Sequence, residues 1–421
     1  MNLVHSVTKI LKTKTFSQSL LTITATILNG ILGLLFYMLL ARSLGPQSFG
    51  IFAVAVATLS LIADIGDLGT NTGLVRFIGI YRNKQDKLLK FLKLALETKL
   101  LVWIVVIIVG FLLTPLIVKS ILLKPELSSP LQLAFLGVGG MLLLSFSNHS
   151  IQALQKYKIW SVLLVGSNLV RLIVILFLIW SLNFNLTNGL LVYVIIPLIF
   201  FFISLIFLPN FFEVKGETSI LKEFFTFNRW IFIVSIIAAF GSRLDTFLTT
   251  RFLSITEVGL YSAALQLTSF VPQVFFAIAT VAAPKLAGFP SNIVAWHYLK
   301  KLQLLCFGLA VLGLLGIPVA YLVINLFYGS SYSNSFTPFV ILYIAQLVFL
   351  IALPSHQAIF YYFAKPQIFV PVSLIQLLLV FSLGLVLIPQ FGTIGAALSV
   401  LIGNIFLMIV PVVWVIYHLK K

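Results

Sequence analysis

Acidic side chains are scarce in this 421-residue chain: 10 Asp and Glu stand against 27 Lys and Arg, and only 9% of residues are charged. Cysteine is nearly absent. The single Cys306 lies in an apolar run, which excludes intrachain disulfides, thiolate zinc sites and Cys-ligated iron–sulfur clusters. No polar stretch is long enough to fold as a separate soluble domain. The phosphate-binding loop, the GxSxG elbow and the HExxH zinc motif are all missing, so ATP is not expected as a direct energy source. His149 and His356 have no neighbouring ligand types that would make a metal site, and ordinary polar packing is the plainer reading of both.

What the chain has in abundance is apolar surface. Hydrophobic residues make up 61% of it, including 39 Phe. Apolar stretches of roughly 20–25 residues recur about twelve times, and about 20 such residues in a helix cross a bilayer core. The expected spans are 16–40, 48–66, 97–118, 131–152, 160–181, 189–211, 230–250, 259–283, 302–326, 336–360, 368–388 and 394–417. Met1 to Thr15 is short and basic and leads into a full-length span, so no cleavable signal is expected. Twenty-one Lys and Arg fall in one set of loops, counting Arg76 and Lys99 there. Four, Arg42, Lys119, Lys124 and Arg251, fall in the opposite set. Basic residues stay on the cytoplasmic side, so both termini are expected in the cytoplasm and the span count is even. The run Arg82 to Lys99 alternates lysines with Leu and Phe. It reads as an amphipathic interfacial helix that touches anionic lipid.

The chain also repeats itself. Ala41-Arg-Ser-Leu-Gly-Pro-Gln-Ser-Phe-Gly50-Ile-Phe-Ala-Val-Ala55 aligns with Thr250-Arg-Phe-Leu-Ser-Ile-Thr-Glu-Val-Gly259-Leu-Tyr-Ser-Ala-Ala264. At an offset of 209, Arg, Leu, Gly, an aromatic and Ala coincide. Gln152-Ala-Leu with Tyr157 matches Gln357-Ala-Ile with Tyr362 at an offset of 205. Two six-span halves follow, 1–212 and 213–421. An even number of spans per half gives both the same orientation, related by a pseudo-two-fold axis along the membrane normal with a cavity between them.

On these words, together with Asp64-Ile-Gly-Asp67-Leu-Gly, Gln152-Ala-Leu-Gln-Lys-Tyr-Lys158 and Arg243-Leu-Asp245, the chain resembles the multidrug/oligosaccharidyl-lipid/polysaccharide flippase superfamily. Within it, the polysaccharide transporter branch of Wzx-type O-antigen and exopolysaccharide flippases is the nearest in pattern. The resemblance covers nearly the whole chain. It implies an all-α polytopic fold of about twelve transmembrane helices in two six-helix lobes around a central cavity. It also implies transport of undecaprenyl-pyrophosphate-linked oligosaccharide from the cytoplasmic to the outer leaflet of the inner membrane, with no enzymatic activity. Its partners would be that lipid-linked substrate, anionic lipids and other polysaccharide-assembly membrane proteins, with no nucleic acid. Lipid II flippases of the MurJ type usually carry fourteen spans and several arginines in their first helices, whereas span one here has no charge.

Ionisable groups inside a membrane are expensive and usually face a cavity or a partner. Arg171, near mid-depth of span five, is a candidate for binding the substrate pyrophosphate through its planar fork, or for a structural bond to Asn168. Arg243 and Asp245 lie in span seven, about 200° apart on a helix, so they do not face each other. Arg243 is a second candidate for the anionic substrate. Asp245 is a candidate for taking up a proton or sodium ion, and no other cofactor is expected. Alternatively, both pair with neighbouring helices. Asp64, Asp67 and Arg76, at a glycine-loosened helix end, form a candidate cytoplasmic gate or a static helix-end network. Two rival functions are a cation-coupled small-molecule exporter on the same fold and a membrane polysaccharide polymerase or ligase. The short outer loops, several without ionisable residues, speak against the enzyme.

Overall fold

The computed structural model describes residues 14–420. The expected cytoplasmic residues Lys9, Lys12 and Lys421 lie outside these. Among the described residues every regular element is helical, as backbone in lipid must be when each N–H and C=O has to be satisfied within its own segment. The longer helices are α1 (Lys14–Gly66), α2 (Thr70–Ile80), α3 (Gln85–Leu116), α4 (Ser128–Ala153), α5 (Tyr157–Trp180), α6 (Leu186–Leu205), α7 (Thr218–Gly241) and α8 (Leu244–Phe252). They continue with α9 (Ile255–Thr268), α10 (Val271–Ala287), α11 (Asn292–Gly313), α12 (Gly316–Val323), α13 (Phe336–Gln357) and α14 (Phe369–Lys420).

Nine helical stretches among the described residues are long and apolar enough to cross a membrane, and α11 with the segment after it, bent by 41°, makes a tenth. Two of the nine, Leu20–Gly66 and Pro366–Leu419, have 47 and 54 residues. At about 1.5 Å per residue each is roughly twice as long as one crossing needs. Each is divided at a glycine with positive φ, Gly45 at 73° and Gly392 at 60°. That backbone region costs glycine nothing, and Pro46 then opens the second arm of α1 where its missing N–H is harmless. Each therefore supplies two crossings, and the total is the twelve that the sequence predicts.

The chain forms two compact units, each described by itself. The first contains the described residues up to Phe36 with Ala55–Ile236. Its centre is α4, buried around most of its circumference. Gly137, Gly139 and Gly140 let neighbours approach: a Cβ on Gly139 would run into the Trp103 ring, and one on Gly137 would meet Leu59 and Val194 at 2.7 and 2.6 Å. Small residues serve membrane helix contacts this way, because dispersion must replace the missing hydrophobic effect. Phe77 stacks on Phe91 with ring centroids 4.6 Å apart and ties α2 to α3.

The second unit contains Tyr37–Val54 with Ile237–Lys421. In it the repeated words meet. A Cβ on Gly50 would strike the Ile255 carbonyl, and a Cβ on Gly259 would strike the Pro46 carbonyl. Gly50 and Gly259 differ by the repeat offset of 209, and so do Pro46 and Ile255. The approach is thus reciprocal, as a two-fold relation between repeats demands. Tyr332 donates to the Ala41 carbonyl at 2.8 Å and Arg42 to the Leu326 carbonyl at 2.5 Å, fixing the same turn. Outward-facing Leu101, Leu112, Val162, Phe177 and Val413 are the apolar surface that lipid covers.

Candidate functional site

Arg171 is buried in α5, in the first unit. Its Nη1 donates to the Asn168 Oδ1 at 3.1 Å, and its guanidinium lies 4.4 Å from the centre of the Tyr193 ring on α6. Asn168 in turn donates to the Asn29 Oδ1 on α1 at 2.7 Å. The expected bond to Asn168 therefore exists, yet it satisfies only part of the guanidinium. The Nε has no hydrogen-bond partner, and among the described residues no carboxylate lies within ion-pair distance of Arg171. A planar cation with free donors, seated on an aromatic face, has capacity left for an anion.

In the other predicted cluster, Asp67 meets Lys99 at 2.5 Å, and Lys99 is completely buried. Asp67 also accepts from the Thr70 hydroxyl at 3.0 Å and the Asn71 N–H at 3.3 Å. Asn71 extends the network to Ser145 at 2.7 Å, next to His149. The chain reaches this geometry by breaking after Gly66: Leu68 and Gly69 have φ of 52° and 74°, and α2 restarts at Thr70. Arg76 does not join Asp67; its guanidinium lies over the Phe227 ring at 4.6 Å. Asp64 is exposed at the end of α1. Lys99 is not the loop lysine that its place in the basic run suggests: it sits inside α3, where an unpaired ammonium would be prohibitive and Asp67 supplies the counter-charge.

Ser242 and Arg243 are the two non-helical residues between α7 and α8, so span seven is broken where the sequence suggested one helix. The Arg243 Nη1 donates to the Ser242 carbonyl at 3.1 Å, and Arg243 forms no ion pair with Asp245 among the described residues. Asp245 is buried and takes the Thr246 N–H at 2.7 Å and the Tyr261 hydroxyl at 2.7 Å. All its hydrogen-bond donors are neutral. Sequence reasoning missed Tyr261 as a partner, although it is the aromatic member of the second repeat word.

The basic run on α3 has a use other than lipid contact. Lys90 pairs with Asp86 at 2.6 Å and Glu217 at 3.0 Å, and Lys93 donates to the carbonyls of Phe212 and Val214 at 3.1 and 2.8 Å. Lys156 holds the Phe207 carbonyl at 2.8 Å. Three lysines thus fasten the connection between α6 and α7 to the first unit. Tyr81 donates to Glu223 at 2.9 Å, and that bond to a carboxylate pushes its phenol above the ordinary range. The Ser219 hydroxyl and then Lys90 hold the Glu217 carboxyl below its ordinary range. Among the described residues no three His, Cys, Asp or Glu converge as metal ligands.

A polytopic helical bundle, with its buried ionic and polar groups gathered in a few separate places, defines an integral membrane protein of the transporter class. The chain belongs to the family described as "Polysaccharide biosynthesis protein", whose model matches residues 17–289. It is 23% identical over 377 residues to a protein of Shigella flexneri named "Putative O-antigen transporter", covering 86% of this chain and 88% of that one. Two solved structures share the fold. "Lipid II flippase MurJ, inward closed conformation" matches with a TM-score of 0.73 at 17% identity, covering 96% of this chain and 88% of that one. "Inward-facing conformation of a multidrug resistance MATE family transporter of the MOP superfamily" matches with a TM-score of 0.72 at 14% identity, covering 93% and 94%.

Proposed function

We propose that the chain is a flippase. It moves undecaprenyl-pyrophosphate-linked oligosaccharide from the cytoplasmic to the outer leaflet of the inner membrane by alternating access, in polysaccharide or O-antigen export, with both termini in the cytoplasm. The family, and the printed names of the Shigella flexneri relative and the MurJ flippase, support a lipid-linked saccharide as cargo. The observation that carries the reading is Arg171, a buried guanidinium with an unpartnered Nε and, among the described residues, no carboxylate beside it. Such a group recruits an anion such as a pyrophosphate and repels a cationic drug. Arg243, at the break in span seven, is the second contact for the anion. Asp245, held by neutral donors alone, is the group that takes up a proton or sodium ion as transport proceeds. Asp64 at the end of α1, Asp67 in the break after it and Arg76 on α2 are the residues of the cytoplasmic gate, with the Asp67–Lys99 pair as its latch and Arg76 apart from that pair, over Phe227. Exposed lysines of the basic loops meet anionic lipid, and other polysaccharide-assembly membrane proteins receive the product.

The test is the lipid-linked saccharide pool of cells lacking the protein. A pyrophosphate-linked oligosaccharide is expected to accumulate facing the cytoplasm. The wild type should clear it, while Arg171→Ala, present in the membrane at normal level, should not. An unchanged pool would favour the small-molecule exporter. Single units stranded on the outer leaflet would mean an enzyme of polymerisation. Full clearance by Arg171→Ala would remove that residue from the site.

A further inference from the structure

The second unit contains a polar pocket that the reading above does not use. Its volume is about 250 Å³, and Gly241 at the end of α7, Gln346 and Phe349 on α13, and Ser373, Gln376 and Asn404 on α14 contribute to its wall. Three carboxamides converge here from three membrane crossings, because Gln376 and Asn404 lie on opposite sides of the Gly392 break. Asn404 is buried and donates to the Ala345 carbonyl at 3.0 Å, and Gln376 reaches the Asn404 Oδ1 at 3.5 Å. Gln346 and Ser373 have no side-chain hydrogen-bond partner among the described residues. Amides on apolar helices cost free energy unless something satisfies them. Here the protein satisfies some of them and leaves the others turned to an open space.

The chemistry of the wall narrows the occupant. No charged residue lines the pocket, so it has nothing to neutralise an anion. A hard cation seeks carboxylates, and none is present. Carboxamides and a hydroxyl donate and accept at once, which matches vicinal hydroxyl groups, and the Phe349 ring offers an apolar face for the C–H side of a sugar. Pockets for drug-sized ligands measure about 300–1,000 Å³, so this smaller space suits a single small ring and excludes a whole oligosaccharide.

We infer that this pocket binds one uncharged, hydroxyl-rich monosaccharide unit of the cargo, so that saccharide selectivity resides in the second unit. The inference rests on the flippase reading. Its test uses the full chain in lipid nanodiscs. The probes are polyprenyl pyrophosphate, bare or carrying one glucose, galactose, N-acetylglucosamine or N-acetylgalactosamine. Wild type should bind at least one glycosylated probe roughly tenfold more tightly than the bare lipid, as sites built to hydrogen-bond a hydroxyl reject the ligand that lacks it. Gln346→Leu should reduce that preference to about twofold or less and leave the bare-lipid affinity unchanged. Gly241→Leu is the second variant: Gly241 is part of the pocket wall and a Cβ there meets nothing within 4 Å, so the backbone admits a side chain at that wall. A preference that survives both variants overturns the inference. So does wild-type protein that binds the bare lipid and prefers none of the four sugars, which leaves the flippase reading standing. Wild-type protein that binds no probe at all overturns both.

Discussion

Asp67 and Asp245 are both carboxylates set among apolar helices, and the difference between them is the charge of their partners. Asp67 faces the buried Lys99 ammonium, so the pair is neutral as a whole and its members are mutually obligatory. Asp245 faces a tyrosine hydroxyl and a backbone N–H, so its hydrogen-bond shell offers dipoles and no counter-charge. A closed ion pair suits the latch of a gate, which holds one state until its partners separate. A carboxyl with neutral donors suits a group that exchanges a proton or cation during a cycle. The first unit thus gives its buried acid a cationic partner, and the second gives its own only neutral ones.

Removing half of the locked pair should have the largest effect. Asp67→Ala strands Lys99 and should cost about 3–5 kcal/mol, read as a large fall in melting temperature, while Asp67→Leu with Lys99→Met should recover most of it. A single variant as stable as the double would dissolve the contrast. Asp245→Asn keeps a hydrogen-bonding group in place and should cost only about 1–2 kcal/mol, while transport loses its dependence on the ion gradient. Retained gradient dependence would remove Asp245 from coupling. Tyr261→Phe should cost about 1 kcal/mol through one lost hydrogen bond to the carboxylate, measured by the same melting. Smallest of all is the clasp outside the membrane. Hydrogen bonding and Lys90 depress the Glu217 carboxyl, so its contribution is present at neutral pH and lost as pH falls through its folded value. Wild type should lose slightly more stability than Glu217→Gln between neutral pH and about pH 4, and the group's exposure keeps that difference small.

The repeat offers a sharper cut between what the residues announce and what packing adds. The offset of 209 was readable in the letters, and the reciprocal contact of Gly50 with Gly259 was not, because sequence similarity does not state which surfaces touch. An alanine at either glycine must displace a carbonyl of the other repeat and should cost about 1–3 kcal/mol. The two substitutions share one contact, so the double variant should cost less than the sum.

Arg171 was singled out from the sequence because an arginine at mid-depth of an apolar run is expensive wherever it points. Its Asn168 partner was within reach of the same reasoning, being one helical turn away. Tyr193, 22 positions on, was not. Lys99, at the end of a basic run, reads as one more surface lysine. Only the break at Leu68 and Gly69 brings Asp67 to it. Lys90 and Lys93 read as lipid-facing until the connection between α6 and α7 folded onto them.

The sequence by itself determined that this is a twelve-span helical membrane protein in which short words recur at an offset of 209. Bilayer thickness and the cost of unsatisfied backbone leave a long apolar chain no other form. Tertiary structure alone decided which buried charges are paired, which glycines are crossing points and which amides converge on the pocket beside Gly241. Those outcomes depend on contacts between residues far apart in the chain, where local periodicity carries no information.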